Sequence, residues 1–173
     1  MKRPSAHNLT VPALYSAASL AIYGFESLLP LPVPIPGFRL GLSNVVVLAV
    51  LRRYGPKEAA LVLAVRILLS ALLFGSPVSL LYALAGGTLC LLSEILLEAL
   101  FHRHFLPLIS LWGGTVHNLG QLLIALLLLG RGALLYLPYL ILMGAGTGLF
   151  TGLAAHFFLQ KLPALQDRPH EGA

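Results

Sequence analysis

Six polar side chains that interrupt apolar stretches of this sequence are the first candidates for chemistry. They combine a carboxylate, a guanidinium, an imidazole and three amides: Glu26, Arg39, Asn44, His117, Asn118 and Gln121. An ionised side chain costs roughly 2.5–3.5 kcal/mol at the centre of a membrane-spanning helix, so it indicates a functional site by default. His117 and Gln121 stand at i and i+4 and therefore share one helix face. Such a set predicts a pocket that binds a small polar molecule.

A structural interpretation of these polar residues stays open. The amides can form interhelical hydrogen bonds worth on the order of 0.6–2 kcal/mol each. Arg39 can extend its charged end towards water, and Arg66, near the middle of its span, can pair with Glu94. Glu94 and Glu98 also stand at i and i+4, and they are interpreted as mainly structural or partner-facing.

Several kinds of chemistry are missing from the sequence. Nowhere do three or four metal ligands occur at a recognised spacing, and the only cysteine is Cys90. A phosphate-binding G-x-x-x-x-G-K-[ST] motif is absent. The only aspartate, Asp167, lies in the C-terminal tail, which excludes a Ser-His-Asp triad and the aspartate-rich magnesium sites of prenyl synthases. We therefore predict no catalytic residue, no cofactor and no bound metal.

Composition decides which elements must position the polar residues. Of 173 residues, 58% are hydrophobic and 10% are charged, whereas a soluble domain has about 25% charged residues. A water-soluble globule is excluded. The net charge of +5 is dispersed among apolar runs rather than clustered, which argues against nucleic acid as a partner and for an integral membrane protein.

Apolar runs bounded by charge, proline or glycine predict an all-α bundle of six transmembrane helices. The second is the shortest, and the spans lie at about 10–29, 38–51, 58–74, 78–101, 106–129 and 134–159. Prolines at every second position from Pro30 to Pro36 predict an extended outer loop, residues 29–37, between the first two helices. Residues 10–160 form one predicted domain, with a cytoplasmic N-terminus at 1–9 and a polar tail at 161–173.

The distribution of basic residues predicts the orientation in the cytoplasmic membrane. With both termini inside, the cytoplasmic side receives eight basic residues: Lys2, Arg3, Arg52, Arg53, Lys57, Arg103, Lys161 and Arg168. The outer side receives only Arg39 and Arg131. Because lysine and arginine concentrate in cytoplasmic loops, this asymmetry favours an even number of spans. A cleaved signal peptide at the first span is the less favoured alternative.

Two rows of small residues predict close helix contacts. Gly144, Gly148 and Gly152 form one row in the sixth span, where packing inside the bundle is favoured. The other row consists of Ala13, Ala17 and Ala21 in the first span. Spacing alone leaves the alanine row open between internal packing and docking of another membrane protein.

Five segments resemble the Gx transporter family, which is also catalogued as heptaprenyl diphosphate synthase component I. The resemblance covers roughly residues 10–160. It is most specific at Leu-Gly-Leu-Ser-Asn, residues 40–44, and His-Asn-Leu-Gly-Gln, residues 117–121, and it extends to residues 53–57, 73–76 and 82–87.

The sequence is also similar to the membrane-embedded S components of energy-coupling factor transporters. That resemblance implies a six-helix subunit that captures a vitamin-like small molecule from outside beneath the loop between helices one and two. It implies partner ATPases and a transmembrane coupling subunit docked on the alanine row, Ala13, Ala17 and Ala21. It does not identify the substrate.

Two other functions stay open. The synthase label implies a noncatalytic membrane subunit linked to isoprenoid diphosphate synthesis, with the aspartates on a partner. A membrane scaffold would instead close every hydrogen bond of His117, Asn118 and Gln121 within the bundle. Capture of a ligand predicts a cavity of a few hundred cubic ångströms beside them.

Overall fold

The computed structural model describes residues 6–29, 39–74, 77–101 and 105–161, and every regular element in these ranges is helical. In chain order the helices are α1 (Ala6–Ser27), α2 (Asn44–Tyr54), α3 (Pro56–Phe74), α4 (Pro77–Leu100), α5 (Leu106–Leu129) and α6 (Leu137–Lys161). A short 3-10 segment, Gly130–Tyr136, joins α5 to α6. The predicted proline-rich loop, apart from Leu29, and the tail beyond Lys161 lie outside the described residues.

Gly55 and Pro56 form the boundary between α2 and α3. Gly55 adopts a φ of 105° after the last turn of α2, and its N–H donates to the carbonyl oxygens of Val50 and Leu51. These bonds satisfy carbonyl groups that the end of a helix leaves unpaired. Pro56 then begins α3, where its missing N–H costs nothing.

The predicted second span is wrong at its beginning. The sequence predicts a helix from about residue 38, but α2 begins at Asn44 and has 11 residues. At 1.5 Å per residue its length is about 16 Å, roughly half the hydrocarbon thickness of a bilayer. Phe38, Leu40 and Leu42 extend the apolar run before α2, but Gly41 has a φ of 84° and breaks the helix.

Despite its short length, α2 lies at the centre of the packing. It contacts α1, α3, α4 and α6, and its residues from Val46 to Leu51 are buried. They join an apolar core with α3 that includes Ala59, Val62 and Ile67. The start of α2 is therefore enclosed by longer helices.

The most extensive helix contact joins α5 to α6 through glycine. A Cβ atom at Gly148 would overlap the Ser110 carbonyl oxygen, and one at Gly114 would overlap that of Gly144. The predicted internal packing of Gly144, Gly148 and Gly152 is confirmed, because all three are buried against α5. Absent side chains let the two backbones approach closely.

Outer faces of the helices are apolar. Leu72, Leu127 and Leu135 are each more than 80% exposed, an arrangement that suits contact with lipid. Two stretches, Pro77–Leu100 and Leu106–Lys161, are long and apolar enough to cross a membrane. The second stretch contains α5, the 3-10 segment and α6.

The closely packed glycines predict a position-dependent effect on stability. We expect Gly148→Ala to lower the free energy of unfolding by about 1–3 kcal/mol, because a methyl group there forces α5 and α6 apart. Gly146→Ala is the matched control, since nothing lies within 4 Å of a Cβ at Gly146. Thermal unfolding in detergent, followed by circular dichroism, measures both variants. Equal midpoints would contradict the close contact.

Candidate functional site

The candidate site forms where the chain passes from loop to helix before α2. Residues 39–43, which we term the entry segment, are not α-helical, and Gly41 and Ser43 are buried. Because this backbone lies within the bundle, its polar groups need protein partners. Two of the sequence-predicted residues, Glu26 and Gln121, provide them.

Glu26 binds the middle of the entry segment. Its carboxylate, at the end of α1, accepts hydrogen bonds from the N–H of Gly41 at 2.8 Å and of Leu42 at 3.1 Å. The side chain is fully buried. Hydrogen bonds to a carboxylate are stronger than those between neutral groups, so these two bonds hold the entry segment against α1.

Gln121 binds the first residue of the entry segment from the opposite side. Its Oε1 accepts from the N–H of Arg39 at 3.1 Å, and its Nε2 donates to the carbonyl oxygen of Arg39 at 3.0 Å. This reciprocal pairing imitates the bonding between two strands and fixes the orientation of the amide. The entry segment is thereby held between α1 and α5.

Ser43 ends the segment and connects it to two further helices. Its carbonyl oxygen accepts from the hydroxyl of Ser19 at 3.1 Å, and its hydroxyl accepts a hydrogen bond from Nη1 of Arg66. All three side chains are buried. Arg66 therefore brings a guanidinium to the segment, and it does not form the ion pair with Glu94 that the structural interpretation allows.

His117 lies beneath the entry segment and completes the cluster. Its Nδ1 is 3.2 Å from Nδ2 of Asn44, and its Nε2 is 2.5 Å from Nε2 of Gln121. Asn44 also contacts the Cys90 sulfur at 3.7 Å. A Cβ atom at Gly41 would lie 3.0 Å from the imidazole, so glycine leaves the space that the ring occupies.

The arrangement is closed. The cavity beneath the segment measures about 10 Å³, room for about one water molecule, and its lining includes Glu26, Arg39, Arg66, His117 and Gln121. Between the described residues, this is far smaller than the cavity that ligand capture predicts.

Arg39 and Arg66 also have unused hydrogen-bond donors. Among the described residues, neither buried Nε atom has a hydrogen-bond partner. The Arg39 guanidinium lies 5.1 Å from the centre of the Tyr23 ring, which positions its charge over the aromatic face. Both arginines line the small cavity, where they can interact with an oxygen of a ligand.

Asn118 lies apart from the other candidates. Its Nδ2 donates to the carbonyl oxygen of Leu140 on α6 at 2.8 Å, because a neighbouring residue points about 100° away from His117 around the helix. Its Oδ1 is buried without a partner in the described part of the chain. In this structure Asn118 joins α5 to α6 rather than α5 to the entry segment.

The two glutamates of α4 differ in their relation to the cluster, because Glu94 lines a small cavity with Gly41, Asn44 and Cys90, whereas Glu98 lies one helical turn further along α4. Glu94 is buried against Gly113 of α5. Glu98 pairs with Arg52 at 3.5 Å between Oε1 and Nη1, which agrees with the structural interpretation of this residue.

The alanine row faces outward. Ala13, Ala17 and Ala21 are all exposed on α1, and α1 packs mainly on α2 and α3. Internal packing therefore does not occupy this row in the described structure. Docking of another membrane protein stays a prediction.

Sequence reasoning missed Ser19 and Ser43 and interpreted Arg66 as structural. Serine is common in helix contacts, so neither residue has a distinctive signal by type alone. The signal for Ser43 is its position in the Leu-Gly-Leu-Ser-Asn segment. For Arg66 the signal is its depth, since an arginine in mid-span must have a specific polar environment.

A comparison with known families matches most of the chain. The family model described as heptaprenyl diphosphate synthase component I matches residues 15–158. This range contains both the entry segment and the His117–Gln121 stretch. No curated protein and no solved structure matches the chain.

We expect the Glu26 carboxylate to slow hydrogen exchange of the backbone amides in the entry segment. Replacing it by the amide in Glu26→Gln removes the negative charge and one acceptor that face two N–H groups. We expect the amides of Gly41 and Leu42 to exchange hydrogen at least about tenfold faster, since a charged hydrogen bond contributes roughly 1.5–3 kcal/mol. Hydrogen–deuterium exchange with mass spectrometry measures this change.

Glu58→Gln is the matched control for that exchange experiment. Glu58 lies in the first turn of α3, away from the entry segment, so its variant should leave the exchange of residues 39–43 unchanged. Unchanged exchange in Glu26→Gln as well would contradict the role of Glu26 in holding the segment.

Proposed function

We propose that this chain, which belongs to the heptaprenyl diphosphate synthase component I family, is a noncatalytic membrane subunit that captures a small molecule for uptake. It acts in the manner of the S component of an energy-coupling factor transporter. In this proposal the chain crosses the cytoplasmic membrane six times, with α2 and the residues before it as the second crossing. Both termini are cytoplasmic.

One observation carries the proposal: a non-helical segment lies within the bundle over buried charged and polar groups. Irregular backbone at membrane depth is tolerated where it is enclosed by protein or lines a cavity. Transporters use such breaks in helices to form substrate sites. A continuous helix forms its own backbone hydrogen bonds and serves for packing alone. Here Glu26 and Gln121 replace those bonds, which supports a role beyond packing.

The contacts of the entry segment support a closing role. Glu26 and Gln121 bind its backbone rather than its side chains. These bonds can break together when the segment lifts, and they can form again once a ligand is enclosed. The closed cluster is then one of two states, and outward movement of residues 39–43 opens the site.

The charges of the site indicate the class of ligand. The lining contains two guanidinium groups, those of Arg39 and Arg66, and one carboxyl group, that of Glu26. Together with the unused Nε donors of both arginines, this favours a ligand with a carboxylate, phosphate or carbonyl oxygen. Gln121 and His117 supply further hydrogen bonds, while Asn118 holds α5 against α6 through its bond to the Leu140 carbonyl oxygen.

Uptake requires partners that supply energy. The exposed alanine row on α1 supports docking of a transmembrane coupling subunit, because small residues let two helices approach closely. ATPase subunits attached to that partner then drive reorientation and release of the ligand into the cytoplasm.

A second candidate function rests on the family description. In that case the chain is the noncatalytic membrane subunit of a heptaprenyl diphosphate synthase, and a partner subunit supplies the catalytic aspartates. Native mass spectrometry of the purified chain distinguishes the two. A retained vitamin-like molecule and a coupling complex support capture, whereas isoprenoid diphosphate with a soluble synthase subunit supports the second candidate.

Gln121→Ala predicts a loss of ligand retention. The variant removes both bonds to Arg39 and the contact with His117, so we expect about tenfold less of the co-purified small molecule per protein. Thr115→Ala is the control, because Thr115 lies on the same helix and, within the described residues, its hydroxyl donates to the Leu111 carbonyl oxygen rather than to the entry segment. Extraction and mass spectrometry quantify the ligand. Equal retention in both variants would exclude Gln121 from the site.

Ala17→Leu tests the docking row. A larger side chain at the centre of the row should reduce co-purification with a coupling subunit at least about fivefold, because the helices can no longer approach. Ala60→Leu is the matched control, since Ala60 is an exposed alanine on α3. Undiminished co-purification of Ala17→Leu would show that the coupling subunit binds elsewhere.

A further inference from the structure

A second polar cavity lies between α4, α5 and α6, beside the entry segment. It measures about 10 Å³, which is room for about one water molecule or one small ion. Leu40 and Gly41 of the entry segment line it, and its polar side chains are Asn44, Cys90, Glu94, Ser110, Thr147 and Thr151. Only Gly41 also lines the cavity that contains His117. The two cavities are therefore distinct.

Glu94 brings a carboxyl group to this cavity without a basic partner. Its side chain is only 2% exposed, and among the described residues its Oε2 has no hydrogen-bond partner. Two basic side chains of the bundle bind elsewhere, since Arg66 donates to Ser43 and Arg52 pairs with Glu98. A carboxylate without a countercharge is costly inside an apolar bundle. Its position therefore indicates a positively charged occupant.

The three hydroxyl groups of the lining use their protons in other bonds. Thr147 and Thr151 donate to backbone carbonyl oxygens of the preceding turn of α6, at 2.8 Å and 2.9 Å. Oγ of Ser110 lies 3.0 Å from Oγ1 of Thr151, and it is the donor of this pair because the Thr151 proton is already bound. A hydroxyl whose only proton is donated can still accept through its lone pairs. Towards the cavity these groups can therefore act as oxygen ligands.

The other polar side chains supply little that could donate to Glu94. Nδ2 of Asn44 faces His117 and the Cys90 sulfur, and a thiol is only a weak donor. The lining thus consists mainly of oxygen acceptors around one carboxyl group, which suits a small cation better than an anion.

We propose that this cavity binds a sodium ion, with Glu94 as the charged ligand and the hydroxyls of Ser110 and Thr151 as neutral ligands. Hard cations prefer oxygen ligands, and a single carboxylate balances the charge of a monovalent ion. Membrane transporters coordinate sodium where the backbone of a spanning segment is unwound. The entry segment supplies such backbone at Leu40 and Gly41, which line the cavity.

This site differs in kind from the metal centres that the sequence analysis excludes. Within the described residues, no group of three or more histidine, cysteine, aspartate or glutamate side chains could hold a metal ion. A sodium site needs only one such residue, because hydroxyl and carbonyl oxygens complete it. Ligand spacing in the sequence therefore does not reveal it.

Direct binding of radioactive sodium to the purified full-length chain in detergent tests this site. Thermal unfolding in sodium chloride and in choline chloride at equal ionic strength accompanies it. We expect saturable binding and an unfolding midpoint at least about 3 °C higher in sodium, because an ion that binds only the folded state stabilises it. Absence of saturable sodium binding would overturn the proposal, since a proton or a water molecule at Glu94 would then be the occupant.

Two variants connect sodium binding to the cavity. Glu94→Gln removes the charge without a change in size, and we expect it to weaken sodium binding at least about tenfold. Thr151→Val removes one hydroxyl at nearly constant size and should weaken binding about fivefold. Glu58→Gln and Thr115→Val are the matched controls, because neither residue lines the cavity. Both controls should bind sodium as the unaltered chain does.

The outcomes are separable from those of the capture proposal. Unfolding midpoints in choline chloride establish that each variant is folded, and they do so without sodium or a captured molecule. Unchanged sodium affinity in folded Glu94→Gln would overturn the site. Failure to retain a small molecule through Gln121 has no bearing on this result, because Gln121 does not line the sodium cavity.

Discussion

Backbone N–H and C=O groups inside an apolar bundle need hydrogen-bond partners, and the rest of this structure depends on that constraint. A continuous helix satisfies its own N–H and C=O groups, but α2 begins only at Asn44. The entry segment before it must bind side chains instead. Glu26 and Gln121 fulfil this need from opposite sides. The position of α1 relative to α5 is thus tied to the point at which α2 begins.

The buried position of Arg66 also depends on the non-helical segment before α2. Arg66 lies in mid-helix on α3, where an arginine requires polar partners. The hydroxyl of Ser43 is available to it only because the entry segment passes through the bundle at that depth. Close glycine contacts with α6 hold α5 in place, and α5 carries both His117 and Gln121. The glycine contacts between α5 and α6 therefore help to set the positions of His117 and Gln121.

Much of the helical pattern could be predicted from the sequence, because apolar runs end at glycine, proline or charge. Helix α5 coincides with the prediction at both ends, and α3 coincides with it at its C-terminal end. The start of α2 could not be predicted, since glycine is also frequent within membrane-spanning helices and only the positive φ of Gly41 shows that the helix begins later. The direction of Asn118 was accessible, because adjacent helical residues point about 100° apart. Its partner on α6 was not, because periodicity does not identify neighbouring helices.

Because Glu26 and Gln121 hold the entry segment through its backbone atoms, most of the side chains of the segment are not fixed by these bonds. Glu26 and Gln121 contact N–H and C=O groups of residues 39–42, so the side chains there can change without loss of these bonds. Gly41 is the exception, because its φ of 84° and the imidazole beneath it exclude a side chain. The side chains of Leu40 and Leu42 are not fixed by these bonds, so these two positions, unlike Gly41, can vary without loss of the conformation that Glu26 and Gln121 hold.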